Sequence, residues 1–110
     1  MITYEDFTKV DIRVGTVIDV QEFPEARKPA LKLLIDFGSS IGQKKTSAQI
    51  THLYTKENLL SKQVIAVVNF PPKQIGNFMS EVLVLGLYNE KNEIVLVSPG
   101  TSVPNGQKLH

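Results

Sequence analysis

Val64-Ile-Ala-Val-Val68, then Asn69-Phe-Pro-Pro-Lys-Gln-Ile-Gly-Asn-Phe-Met-Ser-Glu81, then Val82-Leu-Val-Leu-Gly86: on this stretch turns the fold of the 110-residue chain. The two apolar runs have the length and β-branched content of buried strands. The connector between them holds two adjacent prolines, Lys73, Gly76, Asn77 and Phe78, too many constrained and exposed-looking residues for a plain hairpin turn. Loops held by a rigid sheet are where binding surfaces concentrate, so the connector is the first functional candidate.

Upstream, Asp11 to Gln21 alternates, with Ile12, Val14, Ile18 and Val20 expected on the buried side and Asp11, Arg13, Asp19 and Gln21 on the other. Gly15 removes a side chain where a long strand bends at a barrel corner. Phe23 to Pro29 has two prolines and no period, so it reads as a loop. A second strand is expected from Ala30 to Phe37, with Leu31, Leu33, Ile35 and Phe37 buried and Lys32 outward, and a third, polar strand from Lys44 to Ile50. Thr51 to Lys62 contains the one convincing helix. Thr55 is a suitable N-cap, Glu57 favours the positive end of the helix dipole, and Tyr54 and Leu59 hold the two positions of a hydrophobic staple. About two turns long, it is expected to plug a barrel end with Leu59 and Leu60. Thr3-x-x-Asp6 can cap a short helix in an N-terminal arm that docks on something. After Gly86, Leu87-Tyr88 and Ile94 to Val97 form an extra hairpin around Asn89 to Glu93, and Pro99-Gly100 and Pro104-Asn105-Gly106 punctuate a non-helical tail.

Composition narrows the function. Apolar residues make up 42% and charged residues 21%, the balance of one folded domain spanning residues 1–110, neither disordered nor membrane-spanning. The start, MITYEDF, is acidic where a signal peptide would be basic, so a cytoplasmic location is expected. With no cysteine there is no disulfide framework, thiolate nucleophile or cysteine-ligated zinc. Net charge is +1, yet Arg27, Lys28, Lys32, Lys44, Lys45, Lys56, Lys62 and Lys73 face only two acids, Asp36 and Glu57, within that interval. Gathered on one side, these cations would attract a polyanion.

The tempting enzyme motif fails on spacing. Gly38 to Ser47 brings glycines, lysines and Thr46-Ser47 after a strand, but a phosphate-binding loop needs four residues between its glycines and a lysine directly after the second. Here three intervene, and Gln43 follows Gly42. His52 has no histidine or cysteine nearby to form a relay, and no hydrolase elbow or nucleophile–base pair is present. A non-catalytic protein without cofactor or metal is expected.

Three strands, a short helix and two more strands is the order of an oligonucleotide-binding (OB) fold, a five-stranded Greek-key barrel, here with an extra C-terminal hairpin. Asp11-Ile-Arg-Val-Gly15, Pro24-x-Ala26, Leu33-Leu-Ile-Asp36-x-Gly38, Asn69-x-x-Pro72-Lys73-x-Ile75 and Ser80 together resemble the tRNA-binding domain family, over a core of about residues 11–86. That family occurs as a C-terminal appendix of methionyl-tRNA synthetases and as free-standing dimers. The chain departs from it in four places. Phe23-Pro24 stands for the usual His-Pro, Ser47-Ala48 for Ser-Gly, Asn77 for a glycine, and Ser80-Glu81-Val82-Leu83 for Ser-x-Gly-Met. Asparagine tolerates positive φ, so the loop shape is expected to survive at Asn77.

Asn-Phe-Pro-Pro-Lys followed by Phe-Met-Ser-Glu-Val-Leu-Val-Leu-Gly looks like the small export-associated chaperones of this family. That likeness implies a homodimer, formed through the arm and the C-terminal hairpin and tail, that binds unfolded or precursor polypeptides and cooperates with the secretion machinery without ATP. The alternative is tRNA or another structured RNA. The candidate site combines Phe23 and Phe78 with Arg27, Lys28, Lys32, Lys44, Lys45 and Lys73, and with Asn69 and Ser80 from the family pattern. Peptide would use the apolar patch, whereas RNA would place phosphates on the lysines and stack a base on a phenylalanine.

Overall fold

Eleven consecutive residues, Ile12–Glu22, form strand β1, which is long enough to pair with two neighbours at once. Its first half runs antiparallel to β4, Gln63–Val67, and its second half to β2, Leu31–Asp36. β3, Gln43–Ala48, extends the sheet beyond β2, and β7, Leu83–Val84, extends it beyond β4, giving the order β3-β2-β1-β4-β7. The computed structural model describes residues 1–110 and shows this sheet curled into a nearly closed five-stranded OB-fold barrel. Two hairpins are added to it: β5, Lys73–Ile75, with β6, Phe78–Ser80, and β8, Gly86–Tyr88, with β9, Ile94–Leu96.

The interior follows the alternation of β2: Leu31, Leu33, Ile35 and Phe37 are all buried. They pack with Val17, Val20, Ile50, Leu59, Val64, Ala66, Val82 and Leu96. β1 departs from the expected alternation. A register shift between Val17 and Asp19 inserts a bulge, which moves every later side chain to the other face. Val17 and Val20 therefore both point inward while Ile18 is outside, at 41% exposure. Gly15 is needed for close approach as well as for a bend: a Cβ there would lie 2.6 Å from Ile35 Cγ2 and 2.8 Å from Phe37 Cδ1.

Two helices occur, each held by a capping box. α1, Tyr4–Thr8, begins at Thr3, whose side chain accepts from Asp6 N while the Asp6 carboxylate accepts from Thr3 N; none of its residues is buried. α2, Lys56–Leu59, begins at Thr55 with Asn58 as the reciprocal partner. It is a single turn, shorter than expected, because Leu60 already has extended backbone and Ser61 takes φ +68°. Leu59 is fully buried as the barrel plug, but Leu60 faces outward at 38% exposure. Tyr54 packs on the core, and its hydroxyl accepts a hydrogen bond from Leu96 N at 2.8 Å.

The second apolar run of the central stretch is only partly a buried strand. Two residues pair with β4, and Leu83 is half exposed because it faces the side opposite buried Val82. Within the connector, Gly76-Asn77 is a two-residue turn with φ +59° at Gly76 only, the sign pattern of a type II′ turn. Asn77 thus takes an ordinary φ, and Gly76 supplies the conformation expected of it.

The tail folds back on its own barrel rather than offering a free edge. Val14 N donates to Gln107 O, Gly106 N to Val14 O, and Leu109 N to Ile12 O, covering the part of β1 that β2 leaves unpaired. Thr16 Oγ1 donates to Asn105 Oδ1 and Gln63 Nε2 to Val103 O, both at 2.7 Å, which locks the tail in register. At the other end, Asn69 holds the arm. Its Nδ2 donates to Lys9 O at 2.8 Å and its Oδ1 accepts from Asp11 N at 3.0 Å.

Gly15→Ala forces a methyl into occupied space, and overpacking of this kind costs about 1–3 kcal/mol. The expected result is a melting temperature lower by about 4 °C or more, read by thermal unfolding; an unchanged melting temperature would contradict the packing described. Thr46 of β3 is fully buried against residues 80–82, donating from Oγ1 to Val82 O at 2.7 Å with Ser80 Oγ 2.8 Å away. Thr46→Val keeps the shape and leaves a buried carbonyl unpaired, so a loss of about 1–3 kcal/mol is expected in denaturant unfolding. Wild-type stability in that variant would refute the closure.

Candidate binding site

β2 and β3 present one face to the core and the other to solvent, and register decides which lysines meet. Lys32 stands opposite Ser47, and Lys45 opposite Leu34, so both ammonium groups rise from the outer face. Lys44, one residue away, lies on the other face of β3 with Thr46, apart from this pair. The β5–β6 hairpin lies beside the outer face, joined by Ser80. Ser80 Oγ accepts from Ser47 N at 3.2 Å while contacting the Thr46 hydroxyl.

That placement puts an aromatic ring between the two lysines. Lys32 Nζ lies 4.6 Å from the Phe23 ring centre and 5.3 Å from that of Phe78, and Lys45 Nζ lies 5.4 Å from Phe78. The two rings meet edge to face at 5.5 Å. The ring faces are attractive to cations, so they fix both ammonium groups near one point of the surface. Phe23 is buried and serves as the floor; Phe78 is half-buried and presents an edge to solvent. A depression lined by Asp19, Gln21, Lys32, Leu34, Lys45 and Phe78 results. Lys32 has a long-range carboxylate partner, Glu25 at 3.9 Å, an exposed contact of little energetic weight. Arg27 and Lys28 are exposed on the loop between β1 and β2 and form no ion pair.

On the other side of the hairpin lies a groove of about 530 Å³ lined by Phe70, Pro71, Ile75, Val82 and Leu83, with Lys73, Ser47, Gln49, Ser80 and Glu81 supplying polar groups. Phe70 is 54% exposed and Leu83 50%. Lys73 has no ion-pair partner. Glu81 is engaged elsewhere, its Oε1 accepting from Lys45 N at 2.9 Å. A wider hollow of about 820 Å³ between the Phe23–Pro29 loop and α2 carries two carboxylates, Glu22 and Glu57, against one cation, Lys56. It lacks the paired lysines and is a poor polyanion site.

The ten residues expected at the site thus separate. Phe23, Lys32, Lys45 and Phe78 form one cluster, with Arg27 and Lys28 on a neighbouring loop. Lys73 belongs to the groove. Asn69 and Ser80 tie backbone segments together, and Lys44 points away. Phe70 and Leu83 were not among them. The available signal for Phe70 was its place in the proline-rich loop after β4, where exposed side chains concentrate. His52 is exposed in a turn, and no three His, Cys, Asp or Glu side chains come together as a metal-binding group.

The chemistry available is binding: cations beside an aromatic edge on one flank of a hairpin and an apolar groove on the other. Comparison with known proteins agrees with this architecture. Chaperone CsaA from Bacillus anthracis strain Ames is 51% identical, with a TM-score of 0.93 over 100% of this chain and 99% of that one. The CsaA chaperone protein from Picrophilus torridus is 55% identical, with a TM-score of 0.93 over 100% of both chains. The methionine–tRNA ligase of Bacteroides fragilis is 34% identical over 108 residues, 98% of this chain but 16% of the ligase, so the chain spans about one sixth of that relative's length. Residues 12–108 match the family described as "Putative tRNA binding domain". With nearly the whole barrel and its tail inside that match, the chain belongs to the tRNA-binding domain family.

Proposed function

We propose that this protein is a polypeptide-binding chaperone that acts without ATP on unfolded or precursor chains in protein export. The observation that carries the reading is the groove beneath the β5–β6 hairpin, where Phe70 and Leu83 remain half exposed beside Ile75 and Val82. Large apolar side chains kept out of the core in one contiguous place are suited to apolar segments of another chain. The likeness to CsaA chaperone structures over the full chain supports the same reading. A role in the cytoplasm, ahead of translocation and in concert with the secretion machinery, follows from it, and no helix is long and apolar enough to cross a membrane.

A second reading, tRNA or another structured RNA, is favoured by Lys32 and Lys45 converging on Phe78, with Arg27 and Lys28 near at hand. Phosphates on the lysines and a base against the ring edge is the common mode for unpaired RNA. Lys73, Phe70 and Leu83 are the contact residues of the polypeptide reading and Lys32, Lys45 and Phe78 those of the RNA reading, with Phe23 supporting the latter cluster from below and Asn69 and Ser80 as positioning residues. The whole chain acts as one non-catalytic domain.

Self-association belongs to the same proposal. The tail is used within the chain, so the support rests on side chains: Met1, Ile2 and Tyr4 of the arm, and Leu87 and Tyr88 of β8, are each at least two-thirds exposed. A second copy would cover them, as homodimer interfaces cover apolar surface.

Salt separates the two ligands. Affinity for tRNA should fall on the order of a hundredfold between 50 and 200 mM salt if about four phosphates are contacted, and Lys32→Ala/Lys45→Ala should flatten that slope. Affinity for a reduced, carboxymethylated polypeptide should change only a few-fold over the same range. An equally steep dependence for the polypeptide would remove the apolar groove from its explanation. Light scattering should give the mass of a dimer for wild type and of a monomer for Leu87→Glu/Tyr88→Glu; a monomeric wild type would refute the self-association.

A further inference from the structure

β5 has a single neighbour. Lys73–Ile75 pairs only with β6, and β6 is the strand that packs on β3, so the far side of β5 is an open main-chain edge. In a hairpin closed by a two-residue turn, the pair beside the turn exchanges both main-chain hydrogen bonds and the next pair exchanges none. Ile75 and Phe78 flank Gly76-Asn77. Ile75 and Lys73 therefore direct N–H and C=O toward β6, and Gln74 directs both outward. The Gln74 side chain is turned away from this edge, its Nε2 donating to Gly76 O at 3.0 Å.

The same strand is a wall of the apolar groove, which Lys73 and Ile75 line from above. Pro71 and Pro72 precede it without N–H groups, so the edge is short and centred on Gln74. This combination resists indiscriminate sheet growth while offering one residue's worth of pairing next to a pocket for a side chain.

We propose that an extended segment of unfolded polypeptide adds to the open edge of β5 as a third strand, hydrogen-bonded to Gln74, with an apolar side chain seated against Phe70, Val82 and Leu83. The inference rests on the polypeptide reading above and supplies its mode of recognition. Main-chain pairing gives affinity without regard to sequence, and the groove selects an apolar residue at alternate positions. Lys73, the one cation lining the groove, favours an acidic residue two positions from that anchor, on the same face of the peptide. A nucleic acid would find a single phosphate partner there, next to the Glu81 carboxylate, so this edge takes peptide and not RNA.

The probe is a fluorescein-labelled synthetic peptide, Thr-Thr-Leu-Thr-Asp-Thr-Thr, read by anisotropy, with a series of peptides methylated at one backbone nitrogen each. Only alternate amides of a paired strand face its neighbour. The expected result is an affinity loss of about tenfold or more for a methyl on an edge-facing amide and less than about twofold for the amides on either side of it. Gln74→Pro, which removes the outward N–H and leaves the pairs to β6, should weaken the unmethylated peptide by a similar factor with melting temperature and tRNA affinity unchanged. Leu83→Glu should also lose the peptide. Indifference to N-methylation together with loss on Leu83→Glu would overturn the strand addition and leave the polypeptide reading intact. Loss on Lys32→Ala/Lys45→Ala with Leu83→Glu unaffected would move the peptide to the other flank and overturn it as well. No binding of any peptide in the series, or of the carboxymethylated polypeptide, would overturn both.

Discussion

Five polar contacts between β3 and residues 80–82 convert a curved sheet into a barrel. Glu81 N donates to Lys45 O, Lys45 N to the Glu81 carboxylate, Thr46 Oγ1 to Val82 O and Ser47 N to Ser80 Oγ, and the Thr46 and Ser80 hydroxyls meet at 2.8 Å. No ladder joins β3 to β7, so without these contacts both strands would be edges with unpaired main-chain groups. The seam also fixes the geometry of binding. Ser80 ends β6, and holding it to Ser47 is what keeps the hairpin against the outer face, where Phe78 reaches Lys32 and Lys45.

The hairpin divides the surface into two environments. On one flank, two ammonium groups share a ring, and each is concentrated where a phosphate and a base would arrive together. On the other flank the walls are apolar and the single free cation is Lys73. Net charge near zero is compatible with both, since what matters is which side chains the strand register brings to one face. Lys44 and Lys45 illustrate this: adjacent in sequence, they point to opposite sides of β3, and only one of them joins the cluster.

The barrel was legible where one physical rule governs. β2 alternates without interruption, so Leu31, Leu33, Ile35 and Phe37 declare their face, and α2 is marked by Thr55 and its staple. In β1 the inward set changes parity at a bulge that leaves no compositional trace: Val20 is buried as expected, but Val17 rather than Ile18 precedes it in the core, and Ile18 lies outside. The same limit applies to the site. Asn69 and Ser80 belong to the family pattern and looked like ligand contacts, but each places its side chain on main-chain groups more than thirty residues away in sequence. The role of a polar side chain is set by its partner, and such distant partners cannot be read from spacing.

One departure from the family pattern, Val82, acquires a physical meaning in the folded chain. Val82, standing where a glycine is usual, does not crowd the outer face: it is 6% exposed and packs in the core while its carbonyl receives the Thr46 proton. The next residue takes the other side, as successive side chains along an extended segment do. Leu83 is half exposed and lines the groove together with half-exposed Phe70. A glycine at position 82 would leave that segment free to vary its backbone and would leave a void beneath it. Val82 thus supports the apolar groove from within the core, while the lysine pair on the opposite flank depends on β2 and β3.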